Sequence, residues 1–506
     1  MNLDKDLRSV QEMRDAVQKA KKAQEEFMTF SQEKIDSIVE AVAQAAFSKS
    51  EELAKLAVEE TGMGVVEHKI LKNQVGSREV YQSIKDEKTI GVISEDPVNK
   101  LREIAYPYGI VAAIIPTTNP TSTAMFKTLI SLKTGNAIIV SPHPRAKKCT
   151  VETLKICNQA AMEAGAPDGL IGWISEPSMA ATNQLITHKH VGVILATGGG
   201  GLVKAAYSSG KPAYGVGPGN VPVYIEKTAD IRKAVKMIVD SKTFDNGTIC
   251  ATEQSIVVDQ SVKEEVVREL KMNGSYILNP EEKRKMESII SPGAGKINPD
   301  IVGKPAVKIA EMAGVSVPSD TRLLIAEEDR VHKDVPFSIE KLAPVFALYT
   351  AETQEAALER SLELLNLGGR GHSFAIHSND DSVVQKFSTA VPVSRVLVNT
   401  LSSIGAVGAT TALKPSLTLG CGGYGGNISS DNITARHLFN VKRVAYGIKD
   451  VEVPKPGSVC KQSTGQSNSI DSMIKEALNN TSGNQDVSVE KIELLVKQVL
   501  KQYQNQ

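Results

Sequence analysis

The spacing of apolar positions changes along this chain and divides it into helical and strand-forming segments. Residues 8–60 carry apolar side chains at helical spacing, which predicts two amphipathic helices, the second opening at Ser31. Over 88–109, two strand-like runs flank a Pro-Val-Asn turn. This pattern predicts a β-hairpin whose free edge suits pairing with a second subunit.

Short apolar, β-branched runs then alternate with helical stretches over most of the chain. One set lies at 109–116, 136–142 and 190–198, and a second begins at 221–226 and continues through SIVVD, PVFALY, SFAIH and RVLVN. Strands buried on both faces have this composition, and their alternation with helices indicates parallel, doubly wound sheets. We therefore expect an α/β fold with two Rossmann-type domains and the hairpin as an added element.

Domain bounds follow from these two sets and from a change of composition near residue 452. We expect domains at 1–220 and 221–420 and a returning segment at 421–451. Residues 452–487 are rich in Pro, Gly, Ser and Gln and predict a flexible linker, and 488–506 predict an amphipathic helix. This tail is expected to be separate from the core.

Composition limits the classes of partner. Lys plus Arg and Asp plus Glu number 58 each among 506 residues, and 4% are aromatic, so neither nucleic acid nor membrane is expected to bind. The five cysteines lack CxxC or close Cys/His pairing, so we expect neither a disulfide framework nor a metal site. The amino-terminal sequence lacks the apolar core of a signal peptide, and no apolar run reaches membrane-spanning length. A cytoplasmic protein with small-molecule or protein partners is expected.

Glycines and basic residues follow two of the predicted strands. Residues 198–201 are four consecutive glycines where a strand passes into a helix, and backbone without Cβ atoms can approach a pyrophosphate. Tight packing explains this run equally well. A basic cluster at an earlier strand end faces the expected ligand crevice: His143, Arg145, Lys147 and Lys148. For the two lysines, a solvated helix start is the better explanation.

Cys250 and Asn119 each have a structural and a chemical explanation. Cys250 follows an Asp-Asn-Gly turn, where burial as a small hydrophobe is common, and Asn119 precedes a proline, where a turn role is common. A thiolate can instead add to a carbonyl group, and a rigidly held amide can donate to the resulting oxyanion. These residues alone leave both explanations open.

Eight motifs occur in the order found in CoA-acylating aldehyde dehydrogenases: IIPTTNP, SPHPRA, ATGGGG, GVGPGNVPVYIE, FDNGTICATEQ, EKLAPVFALY, GHSFAIHS and PSLTLGCGGYGGN. From about residue 8 to about 450 the chain resembles the acetaldehyde and propionaldehyde dehydrogenases of this group. It also resembles the aldehyde-oxidising half of bifunctional aldehyde-alcohol dehydrogenases. The resemblance implies an aldehyde dehydrogenase-like fold in which 1–220 bind the dinucleotide and CoA, and 221–420 carry the nucleophile.

The resemblance also implies the reaction and its residues. Cys250 would be the nucleophile, Asn119 the oxyanion donor and His372 the general base or a residue that orients CoA. Cofactor binding would fall to Ser141, Pro142, His143, Thr197, Gly198, Gly199, Gly200, Gly217 and Glu340, of which Glu340 would bind the nicotinamide ribose. The implied activity is reversible oxidation of a short-chain aldehyde to its acyl-CoA with NAD, through a cysteine thioester and a ping-pong scheme.

One motif departs from the wider superfamily. Hydrolytic members carry a glutamate that activates water, and here that position falls on Gly215 or Val216, neither of which is a base. The acyl group is therefore expected to wait for the thiol of coenzyme A. Two alternatives are a hydrolytic enzyme that uses Glu253 and a catalytically silent scaffold that binds a shell.

The remaining cysteines and the tail complete these expectations. Cys421 is the chief rival nucleophile, Cys149 and Cys157 are expected to pack in a helix, Cys460 is expected to be an exposed linker thiol, and His377 is expected to be structural. The tail resembles the encapsulation peptides of bacterial microcompartment enzymes, which implies a shell-protein partner through 488–506 and a place inside such a compartment. An extra helix packed on the enzyme is the alternative. The hairpin suggests a homodimer or a dimer of dimers.

Overall fold

The structure is a computed structural model that describes residues 4–293 and 295–453, with Pro456, Ile492, Glu493 and Val496. The predicted linker at 452–487 and helix at 488–506 lie almost wholly outside these residues. Contacts divide the chain into two units, Met1–Ala445 and Tyr446–Gln506, and every element below belongs to the first. In the described ranges, no helix has the length and apolar character needed to cross a membrane.

Helices make up a large part of the fold. Within the described residues they are, in chain order, α1 (Lys5–Phe27), α2 (Gln32–Ser48), α3 (Ser50–Thr61), α4 (Val66–Gln74), α5 (Val80–Ile84), α6 (Pro120–Lys133), α7 (Lys147–Glu163), α8 (Met179–Thr187), α9 (Gly200–Tyr207), α10 (Ile231–Thr243), α11 (Lys263–Met272), α12 (Pro280–Ile290), α13 (Ala306–Met312), α14 (Gln354–Leu367), α15 (Asp381–Ala390) and α16 (Ser402–Ala406).

The expectation of two helices over 8–60 is wrong, because three helices form there. Ser31 does cap α2, since its hydroxyl oxygen accepts from the Lys34 amide at 3.3 Å. The helix then breaks at Lys49 (φ −100°, ψ 10°), and the buried Ser50 hydroxyl donates to the Phe47 carbonyl oxygen at 2.7 Å. This local side-chain bond competes with the helical pattern at the break between α2 and α3.

The strands form three sheets. Within the described residues they are β1 (Gly91–Asp96), β2 (Leu101–Pro107), β3 (Ile110–Ile114), β4 (Ala137–Ser141), β5 (Ile171–Trp173), β6 (Val191–Thr197), β7 (Ala213–Val216), β8 (Val221–Ile225), β9 (Glu253–Asp259), β10 (Ser275–Ile277), β11 (Leu323–Glu327), β12 (Val345–Ala351), β13 (Gly371–His377), β14 (Val393–Val398) and β15 (Phe439–Ala445).

Two of these sheets are parallel. The first has the order β5-β4-β3-β6-β7 and the second the order β10-β11-β12-β9-β8-β13-β14. Strands β3, β4, β8 and β9 are buried along their whole length, because helices cover both faces of each sheet. The predicted α/β fold with parallel sheets is therefore confirmed. The chain passes between the sheets at residues 217–220; the domain bounds themselves stay predictions.

The third sheet is antiparallel and small. Strands β1 and β2 form the predicted hairpin, and β15 pairs with the other edge of β2, from Phe439 opposite Pro107 to Ala445 opposite Leu101. The segment expected to return from the catalytic domain thus reaches this sheet. Its role in subunit contacts stays a prediction.

Candidate active site

A cavity of about 500 Å³ lies at the carboxyl ends of β3, β4, β6 and β7. Opposite these ends are the loops that lead into β9 and β12. The carboxyl edge of a parallel sheet, where strand order reverses about β3, is the usual ligand crevice of doubly wound folds. The sequence-predicted residues that line this cavity are Asn119, His143, Thr197, Gly198, Gly199, Gly217, Cys250 and Glu340.

Four predicted site residues are not among the described residues that line the cavity: Ser141, Pro142, Gly200 and His372. Ser141 is buried at the end of β4, where its hydroxyl lies 2.8 Å from that of Thr182. Gly200 is the first residue of α9, directly behind Gly199. Their binding roles stay predictions.

Cys250 is half-buried and follows a strained turn. Asp245, Asn246 and Gly247 all have positive φ values, of 49°, 53° and 77°. Burial, helped by the nearby Glu340 carboxyl, raises the pKa of the Cys250 thiol to about 12. In the free protein this environment therefore favours the protonated thiol at neutral pH.

Asn119 lines the cavity from the loop after β3. It is the residue before α6, which begins with Pro120, yet its side chain makes no capping bond to the helix. Its Nδ2 donates to Thr118 Oγ1 at 3.0 Å and, weakly, to the Thr248 carbonyl oxygen at 3.4 Å, two residues before Cys250. The amide nitrogen thus lies on the nucleophile side of the cavity, as an oxyanion donor would.

A buried lysine–aspartate cluster, Lys69, Lys72 and Asp245, lies beside these two residues and was missed by the sequence reasoning. Both lysines donate to Asp245 Oδ2, Lys69 at 2.9 Å. Burial alone would raise the pKa of Asp245, but Lys72 and Lys69 outweigh it and hold that pKa at about 2. The spacing of the two lysines, three positions apart on α4, puts them on one face of the helix and is the signal that could have suggested a shared partner.

Glu340 reaches the cavity from the loop before β12. Its Oε1 accepts from the Gly219 amide at 2.9 Å, so it also holds the segment that passes between the parallel sheets. Burial raises the pKa of Glu340 to about 7. This carboxyl group is therefore poised to exchange its backbone contact for a ligand hydroxyl group.

His372 lies behind the nucleophile. It is fully buried, its Nδ1 is 2.9 Å from Ser373 Oγ, and Nε2 has no hydrogen-bond partner among the described residues. Burial, followed by the Arg395 charge, lowers the pKa of His372 to about 3. The imidazole is therefore neutral, and its roles as general base or CoA-orienting residue stay predictions.

The glycine run is open to a ligand. A Cβ atom added at Gly199, Gly200 or Gly201 would meet no protein atom within 4 Å. Gly199 precedes α9 without any side-chain cap, so the first amide groups of that helix are available. Space and donors at this point fit a phosphate group, and tight packing does not explain the run.

Neither candidate position for a water-activating glutamate can supply one. A Cβ atom on Gly215 would lie 2.6 Å from Val203 Cγ1 and 2.9 Å from the Tyr207 ring, and the Tyr207 hydroxyl accepts from the Gly215 amide at 2.9 Å. Val216 lines the cavity with an apolar side chain. Neither position therefore presents an acidic or basic group to the cavity.

Glu253 is also unsuited to activate water. It is fully buried and is not among the described residues that line the cavity. Its Oε2 accepts from Ser241 Oγ at 2.6 Å and its Oε1 from the Ser402 amide at 3.2 Å. Burial raises its pKa to about 7, but its oxygens serve packing between α10 and α16.

The other cysteines of the described part of the chain do not line the cavity. Cys421 is 3% exposed, and Cys149 and Cys157 are buried in α7. His377 is buried at the end of β13, and Cys460 lies outside the described residues. No group of three or more His, Cys, Asp or Glu residues in the described part of the chain could hold a metal ion.

Comparison with known proteins extends this picture. The model of the aldehyde dehydrogenase family matches residues 6–298. The solved structure of an acetylating aldehyde dehydrogenase from Geobacillus thermoglucosidasius is 56% identical, with a TM-score of 0.88, covering 90% of this chain and 100% of that chain. The structure of Rhodopseudomonas palustris propionaldehyde dehydrogenase with bound propionyl-CoA is 29% identical, with a TM-score of 0.79, covering 86% and 94%.

The bifunctional aldehyde-alcohol dehydrogenase AdhE of Escherichia coli K12 is 50% identical over 442 residues, which are 86% of this chain and 50% of that protein. The chain therefore spans about half the length of the curated aldehyde-alcohol dehydrogenases that it matches.

Proposed function

Because the chain belongs to the aldehyde dehydrogenase family, we propose that it reversibly oxidises a short-chain aldehyde to the corresponding acyl-CoA, with NAD as oxidant. One observation supports CoA rather than water as the acceptor of the acyl group. Cys250 lines the cavity, while Gly215 and Val216 stand where a hydrolytic enzyme has its base. The resemblance to a propionaldehyde dehydrogenase with bound propionyl-CoA supports this choice.

The chemistry begins at the sulfur of Cys250. As thiolate it adds to the aldehyde carbon, a C–S bond forms, and the carbonyl π electrons move to oxygen. Asn119 Nδ2 and the Cys250 backbone N–H are the donors for this oxyanion, and removing one such donor costs about 3 kcal/mol in barrier. Loss of hydride from the same carbon then leaves a thioester on Cys250.

The cavity residues fit NAD. Gly198 and Gly199 would hold the pyrophosphate, His143 and Thr197 would line its crevice, and Glu340 would accept from the nicotinamide ribose. The bound nicotinamide supplies the hydride acceptor. In the second half-reaction the CoA thiol, deprotonated, attacks the thioester carbon, the acyl–Cys250 bond breaks, and the cysteine thiolate leaves.

The test is a rapid-mixing assay with propionaldehyde and NAD. Without CoA we expect one NADH per active site and then arrest, and with CoA sustained NADH release with propionyl-CoA as product. Desulfo-CoA, which lacks the attacking thiol, is the control and should leave the arrest in place. Sustained turnover to propionate without CoA would contradict the proposal.

Two finer proposals concern assembly. We propose that the sheet β1-β2-β15 mediates a homodimer or a dimer of dimers, since it exposes Val92 by 41% and Tyr106 by 43%. We also propose that 488–506 bind a microcompartment shell protein, on the basis of the linker composition before them. Light scattering, which gives the mass of the assembly, tests the proposed homodimer or dimer of dimers.

Deletion of 457–506 tests the proposed shell binding. It should preserve turnover and abolish co-localisation with a shell.

A further inference from the structure

Helix α4 connects the two halves of the proposed reaction centre. Lys69 Nζ donates to the Thr118 carbonyl oxygen at 3.0 Å, in the loop after β3. The same amine donates to Asp245, in the loop that leads to Cys250. Lys72, one turn later, repeats this bridge with side chains, donating to Asn119 Oδ1 at 2.6 Å and to Thr248 Oγ1 at 2.9 Å. The cluster therefore fixes the loop of one parallel sheet against the loop of the other.

Lys72 determines which end of the Asn119 amide faces the cavity. An ammonium group donates hydrogen bonds and accepts none, so only Oδ1 of the amide can face it. The Nδ2 hydrogens are thereby committed to the other end of the amide, where they bond Thr118 Oγ1 and the carbonyl oxygen of Thr248, two residues before Cys250. If the amide flipped, its oxygen would face the developing oxyanion and repel it.

The charge of the cluster also favours this arrangement. Lys69 and Lys72 are 2% and 5% exposed and share one carboxylate, Asp245, which is 0% exposed. The buried cluster of two amines and one acid therefore holds a cation against the amide oxygen. Such a contact polarises the amide and strengthens donation from its Nδ2.

We propose that Lys72 is a positioning residue for aldehyde oxidation, acting through Asn119 to present an oriented and polarised N–H donor to the oxyanion. The proposal rests on the proposed function, because it concerns formation of the Cys250 hemithioacetal and its loss of hydride. Lys72 lines the cavity, but its hydrogen bonds go to Asn119, Asp245 and Thr248 and none goes to the sulfur of Cys250. It is expected to alter the rate of thioester formation and to leave the subsequent attack by CoA less affected.

The experiment is a double-mutant cycle read by the rate of the single-turnover NADH burst. Asn119→Ala should slow the burst by about 10²–10³-fold. Lys72→Met, which keeps the chain length and removes donor and charge, should slow it by about 100-fold through misplacement of the amide, with the aldehyde KM nearly unchanged. In the Asn119→Ala background, Lys72→Met should change the burst by no more than about twofold, because the residue through which it acts is absent.

Lys69→Met is the matched control. It removes an equally buried amine from the same helix and the same aspartate but leaves the contact between Lys72 and Asn119. We expect a comparable fall in Tm and a much smaller fall in burst rate. If Lys72→Met does not fold, Lys72→Gln serves in the same cycle.

Two results would overturn the inference. One is a Lys72→Met effect that is equally large with and without Asn119, and the other is an equal loss of burst rate in Lys69→Met. If the wild-type protein gives no burst with any aldehyde, the proposed function is contradicted instead. The orientation of the Asn119 amide is then tested by a crystal structure of Lys72→Met.

Discussion

Two loops that contribute residues to the cavity wall each carry a cysteine, and they are built in opposite ways. The nucleophile loop, residues 243–250, ends at half-buried Cys250 on the cavity surface. The glycine loop, residues 418–427, holds Cys421 at 3% exposure, with its sulfur 3.5 Å from the Leu419 carbonyl oxygen. Both sulfurs have a pKa raised by burial, but only one can meet a ligand.

The backbones of the two loops explain the difference. Both adopt left-handed conformations, which the glycine loop reaches with Gly422 and Gly426 and the nucleophile loop with Asp245 and Asn246. Left-handed φ costs a residue with a side chain roughly 1 kcal/mol or more. The nucleophile loop bears that cost because the Asp245 side chain binds the cluster and Asn246 Nδ2 donates to the Gly303 carbonyl oxygen at 2.9 Å. The nucleophile loop therefore has non-glycine residues in a strained backbone conformation, and contacts with other elements hold it in place.

The largest effect separates the two sulfurs. Cys250→Ala should lower CoA-dependent aldehyde oxidation on the order of a million-fold, to the background rate, because no other cysteine among the described residues lines the cavity. The NADH burst measures this loss, and Cys421→Ala is the control. Substantial activity in Cys250→Ala, or its loss in Cys421→Ala, would reverse the assignment of the two loops.

The next effect tests whether charge holds the nucleophile loop. Asp245→Asn leaves two buried lysines without their carboxylate and should lower the free energy of unfolding by about 3–5 kcal/mol. Urea denaturation measures it. Asn246→Asp, a change of one atom at the neighbouring left-handed position, is the comparison and should cost less.

The same substitution has a pH signature. The folded pKa of Asp245, about 2, lies below its ordinary value of 3.8. Its contribution to stability is therefore complete above about pH 4 and is lost as pH falls towards 2. Asp245→Asn should flatten this part of the stability curve, and an unchanged curve would show that other carboxylates produce it.

A smaller effect tests whether packing holds the glycine loop. A Cβ atom on Gly425 would lie 2.3 Å from Cys421 Cβ and 2.9 Å from the Arg370 carbonyl oxygen. Gly425→Ala should therefore lower the free energy of unfolding by about 1–3 kcal/mol through overpacking. The double variant with Cys421→Gly should recover part of this loss, and no recovery would argue against the contact.

The smallest effect on stability is expected where a glycine faces ligand space. A Cβ atom on Gly217 meets no protein atom within 4 Å, although Gly217 lines the cavity. Gly217→Ala should change unfolding by less than about 0.5 kcal/mol. It should raise the KM for NAD or CoA by about tenfold, equivalent to about 1.4 kcal/mol of lost binding. A large fall in Tm with a normal KM would show that Gly217, like Gly425, is required for packing and not for ligand binding.

Much of the fold followed from the sequence, because strands buried on both faces leave continuous apolar runs such as those of β3, β4 and β8. Short strands escaped prediction: β5 and β10 have three residues each, too few to show a period. The break at Lys49 was also missed, since it depends on one serine hydroxyl group within an otherwise helical pattern.

Prediction of the site residues also succeeded where a sequence motif was present and failed where only the fold brings residues together. Cys250 and Asn119 were identified from motifs, and both line the cavity. The motif of His372 could not show that its imidazole lies behind the cavity wall, because depth is set by the packing of β13 against the segment 217–220. Lys69 and Lys72 lie on a helix of ordinary composition, and only the fold brings them to Asp245, more than 170 positions away.

The contact between Tyr207 and Gly215 constrains how this active site can evolve. Introducing an acidic side chain at 215 displaces the Tyr207 ring, and removing the ring alone leaves a void with no base in it. A glutamate at 215 would therefore need a smaller side chain at 207 as well, whereas position 216 already lines the cavity and could acquire a glutamate in a single step. The acyl acceptor proposed for this site is thus guarded by packing at 215 and by the identity of one side chain at 216.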